Sequence, residues 1–124
     1  MVSQSGDVFG TTDVYGVRLP LPGDSQPLVL GQITETLKDD SKAIEGDKNN
    51  PMMPVAWTRE NRNANGTTNR VFCTTMGAAT DLANEGLRRL VVNAVLAGFG
   101  LEIPARTDVR YVDPYEPAPY AFKG

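Results

Sequence analysis

One stretch of the chain, Glu85–Phe99, has a sharper periodicity than any other and most constrains the fold. Its apolar side chains recur at spacings of three and four residues, which places them on one side of a helix. The residues concerned are Leu87, Leu90, Val91, Ala94, Val95 and Gly98. Asn84 is predicted to cap the N-terminus of this helix, and Gly100 to end it in the left-handed conformation. The sequence therefore predicts one long helix in the C-terminal part of the chain.

Strand patterns precede this helix. Side-chain character alternates along Met53–Arg59 and Arg70–Met76, and Asn65-Gly66 between them tolerates positive φ, which predicts an antiparallel hairpin. Asp13–Leu19 also alternates and predicts a strand. Leu28–Leu30 is apolar at consecutive positions, which predicts a short strand covered on both faces. About four strands and one long helix indicate the α/β class.

The remaining segments are predicted to be irregular. Residues 1–6 are small and polar, so a disordered start is expected. Residues 34–51 form a polar loop that we interpret as a solvated excursion, with a lid or binding loop as the alternative. Residues 101–124 form a tail rich in proline and tyrosine that cannot continue a helix. Such a tail lies along its own domain, or binds as a polyproline-type ligand in the groove of a partner.

Length and composition exclude several classes of protein. At 124 residues the chain has the size of one domain. The net charge of −3 comes without a basic patch, which argues against nucleic-acid binding. No apolar run reaches the ~18 residues of a membrane span, so a soluble chain is expected. The first residues lack the pattern of a secretory signal, and the localisation of the parent protein stays open.

No catalytic set is complete in this sequence. The chain has no histidine, and its single cysteine, Cys73, lies in the middle of a predicted strand. No metal or cofactor motif is present either. A pair of carboxylates among Asp13, Glu60 and Asp81 would give a glycoside hydrolase, which is the weakest of the functional hypotheses. We therefore expect no independent catalysis.

Polar residues at the end of a predicted strand give the best candidate for a ligand site. In open α/β sheets, ligands bind beyond the carboxyl ends of strands, and Thr74, Thr75 and Gly77 occupy such a position. Trp57 and Arg59 on the preceding strand complete the candidate set. The alternative is structural, with a turn at Gly77 and threonines that simply suit a strand. Trp57 would then pack, and Arg59 would be a solvated charge at the edge.

Three blocks in this region resemble a known family. They are Pro54-Val55-Ala56-Trp57-Thr58-Arg59-Glu60, Asn69-Arg70-Val71-Phe72-Cys73-Thr74-Thr75-Met76-Gly77 and Gly86-Leu87-Arg88-Arg89-Leu90-Val91-Val92-Asn93-Ala94. In order and spacing they resemble the C-terminal half of ThuA-like domains, the trehalose-utilisation family. The segments Asp13–Pro22 and Pro117–Tyr120 resemble its planctomycete-type version. The resemblance implies a partial three-layer fold related to class I glutamine amidotransferases and an association with sugar catabolism.

Two departures from the family limit what the resemblance implies. The strand–helix units of its N-terminal half have no counterpart here, so the chain is predicted to be one partial domain. Many relatives have histidine where this chain has Ala78, so no role of that histidine carries over. The expected ligand is a sugar or sugar derivative. The alternative is a structural module that pairs with a second copy, or with the missing N-terminal half, through an open sheet edge.

Overall fold

A computed structural model describes residues 7–119. Its elements are strand β1 (Gln26–Gly31), strand β2 (Met53–Arg62), strand β3 (Thr68–Thr74) and helix α1 (Glu85–Gly98), with short 3-10 turns at Asp47–Asn49 and Asp81–Ala83. The residues group into two compact units. The sheet unit comprises residues 13–36 and 40–75, and the described part of the helix unit comprises residues 7–12, 37–39 and 76–119. The predicted α/β content is confirmed.

The sheet unit contains an antiparallel sheet in the order β1-β2-β3. β2 and β3 pair without interruption from Ala56↔Thr74 to Arg62↔Thr68. The pairing of β1 with β2 is irregular, with register shifts between Pro27 and Val29 and between Val29 and Leu30. The core of this unit includes Val55 and Ala56 on the central strand, which are 3% and 0% exposed.

The predicted hairpin is confirmed. Its loop is closed by two backbone hydrogen bonds, from Asn63 N to Thr67 O at 2.8 Å and from Gly66 N to Asn63 O at 2.9 Å. The Asn65 carboxamide oxygen accepts from the backbone N–H and the hydroxyl of Thr67. Gly66 has φ +84°, a conformation that glycine adopts without steric cost. The Asn-Gly pair therefore has the turn role that the sequence indicates.

Two strand predictions need correction. Asp13–Leu19 is not a strand, and the described residues contain three strands instead of about four. Its Val14 side chain packs instead at Gly31 and Val55, where a side chain at Gly31 would lie 2.6 Å from Val55 Cγ1. The strand at Leu28–Leu30 exists as part of β1, but it is not covered on both faces. It lies at the edge of the sheet, and Leu30 is 50% exposed.

The polar segment 34–51 is mostly exposed, and specific contacts order its base. Thr34 and Ala43 form an isolated antiparallel bridge, and Ile44 N donates to Ile33 O at 3.1 Å. The Asn49 carboxamide accepts from Ile33 N at 2.7 Å and donates to Ile33 O at 2.9 Å. This side chain therefore satisfies backbone groups as a neighbouring strand would.

Helix α1 begins and ends as predicted. The Asn84 side chain accepts from Leu87 N at 2.8 Å, which is the hydrogen bond of an N-cap. At the other end Gly100 has φ +69°. Its N–H donates to Ala97 O, and Leu101 N donates to Leu96 O, the two bonds of a Schellman motif.

The buried side of α1 differs from the predicted stripe. Leu87 and Leu90 are fully buried, which stabilises the folded chain by about 1.5–3 kcal/mol each. Val95 was expected in the same stripe but is 53% exposed. Arg89 and Asn93, which lie outside the predicted stripe, are 5% and 0% exposed. The buried surface is therefore rotated toward two polar residues.

The C-terminal tail explains this rotation. Its described part, residues 101–119, has no helix or strand and contacts α1. Arg89 Nε donates to Thr107 O at 2.9 Å, and the Thr107 hydroxyl donates to the Asn93 carboxamide oxygen at 2.6 Å. Arg88 Nε donates to Val109 O at 3.0 Å. Polar residues of α1 are therefore buried because the tail covers them and satisfies their hydrogen bonds.

The tail continues along its own unit, which is the first of the two predicted alternatives. The Arg88 guanidinium lies 4.1 Å above the centre of the Tyr111 ring, a cation–π contact. Tyr111 stacks on Tyr115 at 5.1 Å, and the Tyr115 hydroxyl donates to Ala79 O at 2.7 Å. The predicted start at residues 1–6 and the last part of the tail, residues 120–124, lie outside the described residues.

Candidate functional site

Three of the five predicted ligand residues share one face of the sheet. Trp57 and Arg59 are two positions apart on β2, so their side chains project from the same face. Thr75 N donates to Val55 O at 3.0 Å, which continues the β2–β3 ladder by one residue. Thr75 is thus paired with Val55, and directly paired residues have their side chains on the same face. Since Val55 lies two positions before Trp57 on β2, Thr75 lies on the face of Trp57. Trp57 is partly exposed there.

Thr74 lies on the opposite face. Its register partner is Ala56, one residue before Trp57. The Thr74 hydroxyl donates to Val55 O at 3.0 Å, so it stabilises the ladder. The two threonines at the end of β3 are therefore not equivalent. The side chain of Thr75 lies on the candidate face, whereas the hydroxyl of Thr74 stabilises the hairpin.

Arg59 packs against the turn that precedes β1. Its guanidinium crosses Gly23, where an added Cβ would lie 2.7 Å from Arg59 Nη2. Gly23 has φ +62°, so both the close approach and the backbone conformation require glycine. Arg59 Nε lies 3.3 Å from Asp24 Oδ1 in an ion pair, and the buried Nε–H has no hydrogen-bond partner. The geometry makes this ion pair a weak anchor, since partly exposed pairs contribute about 0–1 kcal/mol.

Gly77, the fifth predicted residue, belongs to the helix unit. It is exposed and has φ +134°. Its N–H donates to Asp81 Oδ2 at 3.2 Å, as does the N–H of Ala78. The Gly77 N–H is therefore engaged by a side chain of its own unit, and Gly77 acts as a turn residue.

Asp81 is the most buried carboxylate in the described part of the chain, at 1% exposure. Besides the two N–H groups of that turn, it accepts from Thr11 N at 3.0 Å and from the Thr12 hydroxyl at 2.8 Å. Four donors surround one carboxylate, which is how a buried charge is stabilised without a cation. The carboxylate thereby joins residues 11–12 to residues 77–81.

The remaining carboxylates of the hydrolase hypothesis, Asp13 and Glu60, are exposed on the sheet unit. Glu60 lies 4.0 Å from Arg70 in a solvent-exposed ion pair. Neither residue lies in an enclosed site of the kind that a general acid requires. Within residues 7–119, no group of three or more metal-binding side chains is close enough to hold a metal ion. No helix among these residues is long and apolar enough to cross a membrane.

Charged groups with shifted pKa values lie where the tail meets α1. A side-chain hydrogen bond from Arg89, joined by a second from Arg106, lowers the pKa of Glu85. The side-chain hydrogen bonds of Arg110, followed by its backbone N–H, lower the pKa of Asp108 to about 2. Both shifts stabilise the ionised carboxylates in ion pairs, so they mark structural contacts and not an acid–base catalyst.

Sequence reasoning did not identify the roles of Asp81 and Arg89. The signal for Asp81 is its position just after a glycine turn and before a helix, where short acidic side chains accept backbone N–H bonds. Arg89 gives no local signal, because its burial depends on a tail segment about 18 residues later.

Comparison with protein-family models, with curated proteins and with solved structures found no match. The resemblance to ThuA-like domains therefore stays a prediction from the sequence.

Proposed function

We propose that this chain is the C-terminal portion of a ThuA-like protein associated with the utilisation of trehalose-type disaccharides. In this proposal it forms part of a three-layer domain of the glutamine amidotransferase type. It contributes scaffold and one wall of a sugar-binding cleft and has no independent catalysis. The observation that carries the proposal is the common face of Trp57, Arg59 and Thr75.

The chemistry of these three side chains suits a sugar. A tryptophan offers a large flat apolar surface for the C–H face of a pyranose ring, together with one N–H donor. Arginine and threonine supply donors, and threonine also an acceptor, for the hydroxyls at the rim of the ring. The Arg59 side chain, which is 38% exposed, is one such source of donors. An apolar surface with a few placed polar groups is typical of small-molecule sites.

The test is a fluorescence titration, because Trp57 is the only tryptophan of the chain and lies in the proposed site. Trehalose and its singly oxidised keto derivative are added to the chain. A saturable change is expected, with a dissociation constant in the range of about 1 mM because one wall supplies few contacts. If neither sugar gives a saturable change, in this chain or in a polypeptide extended upstream, the proposal is wrong.

A matched pair of variants distinguishes the face of the sheet that binds. Thr75→Val keeps the shape of the side chain and removes the hydroxyl on the face of Trp57. We expect roughly fivefold weaker binding, from the loss of one hydrogen bond worth ~1 kcal/mol. Thr74→Val is the control, because its hydroxyl lies on the opposite face and bonds Val55 O. Equal weakening in both variants would assign the effect to the ladder and contradict the proposed site.

A further inference from the structure

The tip of the hairpin carries the one asparagine of the sequence that is followed by a glycine. Asn65 and Gly66 are both exposed, so water reaches them. Gly66 has no Cβ that would crowd its backbone nitrogen. The side-chain carbon Cγ of an asparagine lies close along the chain to the nitrogen of the next residue, and proximity of this kind promotes ring closure. Asn65 and Gly66 therefore have the chemistry of an intramolecular reaction.

The carboxamide of Asn65 is hydrogen-bonded at its oxygen and not at its nitrogen. Oδ1 accepts from the Thr67 N–H at 3.1 Å and from the Thr67 hydroxyl at 2.7 Å. These two donors lie where negative charge develops when a nucleophile attacks Cγ, so they favour the attack. The NH2 group of Asn65 makes no hydrogen bond to any residue in the range 7–119. Nothing in that range holds it as a leaving group.

Asn63, in the same loop, is held at both ends of its carboxamide. Its NH2 group donates to the Thr67 hydroxyl at 2.9 Å, and its Oδ1 accepts from the Asn61 NH2 group at 3.2 Å. It precedes Ala64, whose methyl group crowds the backbone nitrogen. The loop thus contains a matched pair of asparagines, of which Asn65 is the reactive one.

We propose that Asn65 is a site of spontaneous deamidation, which changes the hairpin as the protein ages. The backbone nitrogen of Gly66 loses its proton to water and forms a bond to Asn65 Cγ. The bond from Cγ to the NH2 group breaks, and this group takes up a proton and leaves as ammonia. Water then opens the resulting succinimide ring at one of its two carbonyl carbons, which gives aspartate or isoaspartate.

One hydrogen bond of the loop opposes the reaction. Gly66 N donates to Asn63 O at 2.9 Å, so this bond must open before the nitrogen attacks. Hydrogen bonds at exposed loop tips open locally while the rest of the domain stays folded. The bond therefore slows deamidation of the folded chain without preventing it.

The two products affect the hairpin differently. In the aspartate product, a carboxylate oxygen replaces Oδ1 and still accepts from Thr67. In the isoaspartate product, the main chain runs through Cβ and Cγ and is longer by one carbon before Gly66. The hydrogen bond from Asn63 N to Thr67 O closes the loop around this point, at 2.8 Å. Isoaspartate should therefore weaken the closure of the hairpin, whereas aspartate should keep it.

The first experiment is incubation of the full, folded chain in neutral buffer, followed by peptide mapping with mass spectrometry. Conversion of Asn65 should be at least about tenfold faster than conversion of Asn63, and labelling by an isoaspartyl methyltransferase should identify isoaspartate. Gly66→Ala should remove most of this difference, with circular dichroism as the check of folding. The comparison of Asn65 with Asn63 in the wild type needs no variant. An Asn65 that stays intact, or an Asn63 that converts equally fast, overturns the proposal.

The second experiment tests the effect on the hairpin. The isoaspartate form is isolated from aged protein by ion-exchange chromatography and compared with the Asn65→Asp variant. The two proteins carry the same charge and differ only in the length of the main chain at residue 65. The Asn63 amide should exchange its hydrogen about tenfold faster in the isoaspartate form, because the bond to Thr67 O is lost. Equal exchange in the two proteins overturns the proposed change of the hairpin.

Discussion

Removal of the Asp81 carboxylate should destabilise the helix unit more than the loss of any exposed acidic group. Asp81→Ala leaves four donors without their acceptor, namely the N–H groups of Thr11, Gly77 and Ala78 and the hydroxyl of Thr12. Asp81→Asn is milder, because the remaining carboxamide oxygen replaces Oδ2, which accepts three of the four bonds. Its NH2 group then faces the N–H of Thr11.

The magnitude follows from these contacts. A hydrogen bond to a charged group contributes about 1.5–3 kcal/mol, and four would sum to about 6–12 kcal/mol. The donors belong to exposed residues, however, so water replaces part of what is lost. We therefore expect about 3 kcal/mol for Asp81→Ala and about 1–2 kcal/mol for Asp81→Asn. The larger loss is a substantial part of the ~5–15 kcal/mol that stabilises a typical domain.

Urea unfolding with two probes measures this prediction. Far-UV ellipticity follows α1 in the helix unit, and the fluorescence of Trp57 follows the sheet unit. With a slope of about 1–3 kcal/mol per molar urea, Asp81→Ala should lower the midpoint of the ellipticity transition by about 1–3 M. Asp13→Ala, which removes an exposed carboxylate, is the control and should stay within about 0.5 kcal/mol of the wild type. A loss below that limit for Asp81→Ala would refute the reasoning.

Three further predictions concern α1 and the tail. Gly86→Ala should strongly destabilise the chain or prevent folding, because the added Cβ would lie 1.9 Å from a backbone oxygen. Gly98→Ala is the contrast, since its Cβ meets no atom, and it should raise the stability measured by thermal unfolding by about 0.5–1 kcal/mol. Asn84→Ala should cost about 1 kcal/mol in the same assay through loss of the N-cap bond, and an unchanged melting temperature would contradict that role. Arg110 holds the pKa of Asp108 below its unfolded value of 3.8, so the stability gained is present above pH 3.8 and lost as the pH falls through about 2. Titration of wild type and Asp108→Asn should therefore show a stability difference that vanishes over this window, and a constant difference would contradict the pairing.

The elements that are predicted correctly from the sequence are those that depend on residues close together along the chain. The predicted bounds of the helix are correct to within one residue, and both predicted caps are present. The predicted Asn-Gly turn is also present in the hairpin. Asp13–Leu19 fails because alternation indicates that one face is apolar, but does not indicate whether a strand lies alongside to accept hydrogen bonds. Val14 is used for packing, and the backbone around it joins no ladder.

Prediction of the candidate site was limited in a similar way. The shared face of Trp57 and Arg59 follows from their spacing, whereas the separation of Thr74 from Thr75 requires the register of the hairpin. The burial of Arg89 requires the path of the tail, about 18 residues away in sequence. Contacts of this kind have no periodic signal, because they join a regular element to a segment without regular structure.

The attachment of the tail has a consequence for how its sequence tolerates change. Arg88 and Arg89 donate to the carbonyl oxygens of Val109 and Thr107, which every amino acid has. These hydrogen bonds thus depend on where the backbone of the tail lies more than on which side chains it carries. Position 109 should accept many substitutions that keep an extended backbone, whereas the arginines that hold it should accept very few. At this contact the sequence of the tail can therefore vary more than the sequence of the helix.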